Sequence, residues 1–208
     1  MSFDTAVFLA TFVTLFVIMD PPGVIPVYLS LVGRKTKEAR NRAAWQAPAV
    51  SLLVITVFAV GGQAILSYLH IGIPALQGAG GLLLLLIALD LLRGRGAGGT
   101  DPHGDAEVNV ALVPLGTPLM AGPGAIAAVI VAVAQADTGG TYLAIAAAIL
   151  AIHTVLFLVL RFATTLIRIL GEGGITLLAR IAGLLLAAIA VQLVASSVMG
   201  FIDQYSAG

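Results

Sequence analysis

Cysteine is absent from the 208 residues, which excludes disulfides and thiolate metal centres and leaves the redox compartment open. Charge is scarce too. Asp, Glu, Lys and Arg make up 10% of the chain, with ten acids against ten bases, so no net field exists to draw nucleic acid or an anionic surface. No His-Glu-x-x-His pattern and no Ser or Cys nucleophile beside a base occurs, so an enzyme is not expected, nor a metal or other cofactor. The opening Met1-Ser2-Phe3-Asp4 lacks the basic region of a secretory signal, and the apolar run that follows exceeds signal length; it reads as an uncleaved first span.

What is present is apolar surface. At 60% hydrophobic residues, a chain of this length has more than a water-soluble core can hide, and the bilayer has to be its solvent. A hydrocarbon core of about 30 Å needs roughly 20 apolar residues per helix. Six segments meet that need: 5–33, 43–69, 73–92, 110–134, 141–168 and 175–201. Arg34, Lys35, Lys37, Arg40 and Arg42 fall between the first and second, Arg93 and Arg95 follow the third, and Arg161, Arg168 and Arg180 flank the junction of the fifth and sixth. A six-span path puts all of them on one side, which the positive-inside tendency makes cytoplasmic. The expectation is a multi-pass protein of the cytoplasmic (inner) membrane with both termini on the other side. Residues 93–109, RGRGAGGTDPHGDAEVN, have the Gly content and Asp-Pro step of a flexible linker between halves 1–92 and 110–208.

The halves are related by an internal repeat. Pro22-Gly23 matches Pro123-Gly124 at a shift of 101 residues, and GLLLLLIALDLL from Gly81 aligns with GLLLAAIAVQLV from Gly183 at a shift of 102. Three spans is an odd number, so the second half enters from the opposite face. The predicted fold is therefore an all-α membrane protein with six transmembrane helices, arranged as two inverted three-helix repeats.

Spans one and four are each interrupted. Met19-Asp20-Pro21-Pro22-Gly23 and Met120-Ala121-Gly122-Pro123-Gly124 combine missing amide donors with glycine freedom, and backbone groups released at that depth have no partner in lipid. Matched breaks in two halves point to a transport site. Each restarting helix exposes free amides at its positive end, and the two ends are expected to bracket one carboxylate. The predicted substrate-binding set is Asp20, Pro21, Pro22, Gly23, Ala121, Gly122, Pro123 and Gly124.

Asp20, an acid in mid-span, is suited to a substrate ammonium, a cation or a transported proton; the bland alternative is an N-cap for the helix starting at Pro21. His153 is a candidate proton relay or a neutral link between helices, and Arg180 a candidate gate or a snorkelling anchor. Arg161, Arg168 and Asp90 read as anchors at the membrane edge, Gln63, Gln77 and Gln192 as helix-to-helix hydrogen-bonding residues, and Gly78, Gly80, Gly81 and Gly183 as close-packing positions.

MDPPGVIPVYLSL, QGAGGLLLLLIALDLL, VPLGTPLMAGPGAI and RIAGLLLAAIAVQL resemble the hallmark segments of the MarC family of integral membrane proteins, over nearly the whole chain. That resemblance implies transport of small neutral amino acids such as glycine and alanine: a zwitterion whose carboxylate suits the helix ends and whose ammonium suits Asp20. Its other implied partner is membrane lipid; self-association is left open. Competing readings are an assembly partner of other membrane proteins and an exporter of other small solutes.

Overall fold

A computed structural model describes residues 3–32, 35–93 and 120–206. All seven of its elements are helices: α1 (Thr5–Met19), α2 (Pro21–Val32), α3 (Lys37–Tyr68), α4 (Ile73–Leu92), α5 (Pro123–Ala134), α6 (Gly139–Arg161) and α7 (Ala163–Ser206). Five stretches are long and apolar enough to cross a membrane: Thr5–Ile25, Lys37–Tyr68, Ile73–Leu92, Gly139–Arg161 and Gly173–Ser206. With 12 residues, α5 is a shorter apolar helix of about 18 Å at 1.5 Å per residue, roughly half a hydrocarbon core.

Local chemistry explains where the helices begin. Asp4 accepts from the Val7 amide at 3.1 Å and starts α1, and Thr36 accepts from the Ala39 amide at 3.3 Å and starts α3. Because of that cap, α3 opens six residues before the expected 43 and runs for 32 residues. Its Lys37–Arg42 turn is polar, as a helix emerging from lipid requires. Thr138 caps α6 through the Thr141 amide at 3.2 Å. The third span, 73–92, lies where the sequence placed it.

The fifth and sixth spans depart from expectation. Helix α6 ends at Arg161 rather than 168, and residues 163–168 already belong to α7. That helix bends at Gly171, whose φ of 66° is open to glycine, and continues to Ser206, past the expected 201. The expected linker from residue 94 onward, the part of span four before 120, and Arg34, Arg95, Pro114 and Pro118 lie outside the described residues.

The halves interlock. Helices α1 and α2 pack on α6 and α7, while α5 packs on α3 and α4. The most extensive pairing, α4 with α7, is made close by glycine. A methyl at Gly81 would stand 2.8 Å from the Ala190 carbonyl oxygen, and one at Gly183 would stand 3.3 Å from that of Ala88. Around these contacts lie two apolar cores, a larger one spanning α1, α2, α3, α5, α6 and the first part of α7, and a smaller one where α4 and α7 meet Val17 of α1. The outward faces stay apolar: Leu53, Val60, Leu143, Leu150 and Leu184 are all exposed, a distribution suited to lipid and unsuited to water.

Gly81→Ala should lower the thermal unfolding midpoint of the detergent-solubilised protein, because the obstruction is backbone and cannot rotate away; overpacking of this kind costs about 1–3 kcal/mol. Gly61→Ala, which meets nothing within 4 Å, is the control and should leave the midpoint unchanged or higher.

Candidate functional site

The interruption of the first span is a single residue. Asp20 takes φ 42° and ψ 66°, a left-handed conformation that Asp tolerates better than most side chains, and its amide bonds to the Phe16 carbonyl at 3.0 Å. The next helix starts at once, with the Val24 amide bonded to the Asp20 carbonyl at 3.1 Å. On the other half, Gly122 is the N-cap of α5 with no side-chain hydrogen bond, and Pro123 takes the first helical position.

The Asp20 turn and the start of α5 open onto one small cavity of about 50 Å³. Met19, Asp20, Gly23 and Val24 line it from the first half, and Met120, Gly122, Gly124 and Ala125 from the second. Leu84, Ile87 and Leu91 of α4 form a third wall.

The free amides are unequal at the two helix ends. Pro21 and Pro22 both lack an N–H, so α2 offers the cavity only the Gly23 amide. At α5 the Ile126 amide bonds to the Gly122 carbonyl at 3.1 Å, which leaves Gly124 and Ala125 as the free donors. The start of α5 thus offers the cavity two amides, and the start of α2 offers one, beside the Asp20 carboxylate.

That acid is 4% exposed, and neither Asp20 carboxylate oxygen meets a hydrogen-bond partner. The carboxylate lies over Gly23 so closely that a Cβ there would collide with Oδ2, and the Gly23 amide is the donor beside it, an N-cap contact that falls short of full hydrogen-bond geometry. A buried ionisable group without a partner is costly in any protein and is the mark of a ligand site within a membrane.

Of the eight residues expected to bind substrate, Asp20, Gly23, Gly122 and Gly124 line the cavity. Pro21 and Ala121 are buried beside it, Pro22 is half-buried, and Pro123 is exposed. The two residues expected to couple or gate lie elsewhere. Arg180 is exposed on α7, away from the cavity lining. His153 is buried between α6 and α3, its Nδ1 2.7 Å from the Ile149 carbonyl and its Nε2 3.0 Å from the Ser51 hydroxyl. Since a carbonyl only accepts, Nδ1 carries the proton, and in the neutral ring Nε2 accepts from Ser51. This is the helix-linking role, and it leaves the imidazole no free nitrogen for a solute.

Met19, Met120 and the leucines of α4 were not anticipated as lining residues. The methionines carried a signal, being 101 residues apart like the Pro-Gly pairs, and they are 1% and 0% exposed. Leu84 carried none. It is placed by Gly124, against which it packs so closely that a Cβ there would overlap it.

Comparison with known proteins finds one family over nearly the whole chain. A family model described as MarC family integral membrane protein matches residues 5–202. A UPF0056 membrane protein of Methanocaldococcus jannaschii is 37% identical over 202 residues, covering 95% of this chain and 98% of its own. One of Aquifex aeolicus is 35% identical over 90% of each chain, and one of Escherichia coli is 31% identical over 95% of this chain and 94% of its own. No solved structure matches.

Replacing Asp20 by Asn removes the buried charge while keeping a side chain that tolerates the left-handed backbone. Asp20→Asn should raise the thermal midpoint in sodium-free choline chloride, since an unpartnered buried polar group costs about 1–3 kcal/mol and a charged one more. A lowered midpoint would mean that the carboxylate holds the fold together.

Proposed function

The chain belongs to the MarC family of integral membrane proteins, and from that premise we propose that it is a secondary transporter of the smallest neutral amino acids, glycine and alanine, and has no enzymatic activity. The observation that carries this reading is one small cavity with a buried acid on one wall and the helix-terminal amides of α5 on the other. A zwitterion matches that polarity. Its carboxylate is received by the Gly124 and Ala125 amides at the positive end of α5, and its ammonium by Asp20. With about 10–15 Å³ of such volume per water-sized group, a cavity of about 50 Å³ admits a few such groups. The scale is that of glycine or alanine, well short of a branched side chain.

Alternating access follows from the inverted repeat, which is part of the same proposal. Several contacts support it by obeying the repeat shift. The Gly81–Ala190 approach maps onto Gly183–Ala88 when 102 is added to 81 and to 88. Ser51 and His153, which share a hydrogen bond, are themselves 102 residues apart. Equivalent residues of two symmetric halves touch only near the axis relating them, so this bond marks the axis between α3 and α6. Rocking of one half against the other about that axis would expose the cavity to each side in turn. The same reading places the protein in the cytoplasmic membrane with its basic loops inside and both termini outside.

Proteoliposomes containing the purified protein should take up labelled glycine and alanine saturably, and leucine at least tenfold more slowly. Absence of flux over a broad amino acid panel would remove the substrate claim. Asp20→Asn should lower glycine uptake at least tenfold while the variant elutes and melts as a folded protein; unchanged uptake would remove Asp20 from the mechanism.

A further inference from the structure

The double proline at the first break has a second chemical effect, on acceptors. In a continuous helix the carbonyl of Val17 would accept from residue 21 and that of Ile18 from residue 22. Both positions are proline, so neither carbonyl has its donor. The amide of Asp20 bonds one residue short of them, to Phe16. Two carbonyl oxygens at the negative end of a 15-residue helix are thus directed toward the break, where Asp20 adds a carboxylate that is 4% exposed and unpartnered. Ile18, Met19 and Asp20 all line the cavity, and among the described residues no Lys, Arg or His does.

We propose that this end of the cavity binds a dehydrated monovalent metal cation of the sodium class, coordinated by the Asp20 carboxylate and the main-chain carbonyl of Ile18. The donor set is all oxygen, which selects a hard cation and disfavours transition metals, whose sites use imidazole or thiolate. Charge selects the valence. Asp20 and a bound zwitterion together carry one negative charge in a site without a base, and one monovalent ion brings the sum to zero. A calcium-type site needs six to eight oxygens, more than this end of the cavity offers. Broken-helix carbonyls at mid-membrane are the usual ligands of coupling cations in transporters of inverted-repeat design. The inference rests on the proposed transport reading for its consequence, that the cation gradient drives uptake; the binding site itself rests on the geometry of the break.

Two measurements on the purified full-length protein, without amino acid, test it: the thermal midpoint in sodium against choline chloride at equal ionic strength, and displaceable binding of radioactive sodium. Sodium should raise the midpoint saturably where choline does not, and labelled sodium should bind. Asp20→Asn should weaken binding at least tenfold. The double variant Pro21→Ala, Pro22→Ala keeps the carboxylate but returns N–H donors to both carbonyls, and should also weaken it at least tenfold. Indistinguishable behaviour in sodium and choline, or full sodium binding by Asp20→Asn, overturns the proposal. So does glycine uptake driven by a pH gradient in sodium-free medium, which would put a proton on Asp20 instead. Sodium binding in a protein that moves no amino acid would leave the cation site standing and remove the transport reading.

Discussion

An unsatisfied polar group in the interior of an apolar bundle is the constraint around which this structure is arranged. Asp20 sits in a left-handed turn with both carboxylate oxygens unpartnered, surrounded by Met19, Val24, Met120 and the α4 leucines. Lipid can relieve neither that charge nor the backbone groups that the adjacent prolines release. The fold answers by burying them, with the start of α5 brought against the Asp20 turn across a small cavity.

The interlocking of the halves follows from the same need. A broken helix cannot satisfy itself, so each is wrapped by spans of the opposite half: α1 and α2 by α6 and α7, α5 by α3 and α4. Close approach at Gly81 and Gly183 keeps α4 and α7 together without a large side chain between them. In a membrane, where apolar surface gains nothing by leaving lipid, such backbone-to-backbone packing and the buried Ser51–His153 bond supply the specificity that a hydrophobic core supplies in water.

The cavity has a chemical polarity: Asp20 lies on one wall, and the start of α5, at Gly122 and Gly124, lies on the other. The asymmetry arises from residues at one repeat shift: Asp20 corresponds to Ala121, and Pro22 to Pro123, but Pro21 corresponds to Gly122. Two differences therefore separate the matched segments: an acid stands at one where the other has Ala121, and a proline without an amide donor stands where the other has Gly122.

The helical membrane class, the third span, the break at Asp20 and the start of a helix at Pro123 were determined by the sequence alone, because apolar length and missing proline amides act locally and need no neighbours. Helix ends set by kinks, such as the early close of α6 at Arg161 and the bend of α7 at Gly171, were not legible, since a run of apolar residues looks the same on either side of a bend. Only the tertiary arrangement decided which polar residues share a site. It joined Asp20 to Gly124 across a separation of about a hundred residues, tied His153 to Ser51, and left Arg180 at the surface. Hydropathy records the depth of a residue in the membrane but not the direction its side chain faces, and the direction is what makes a site.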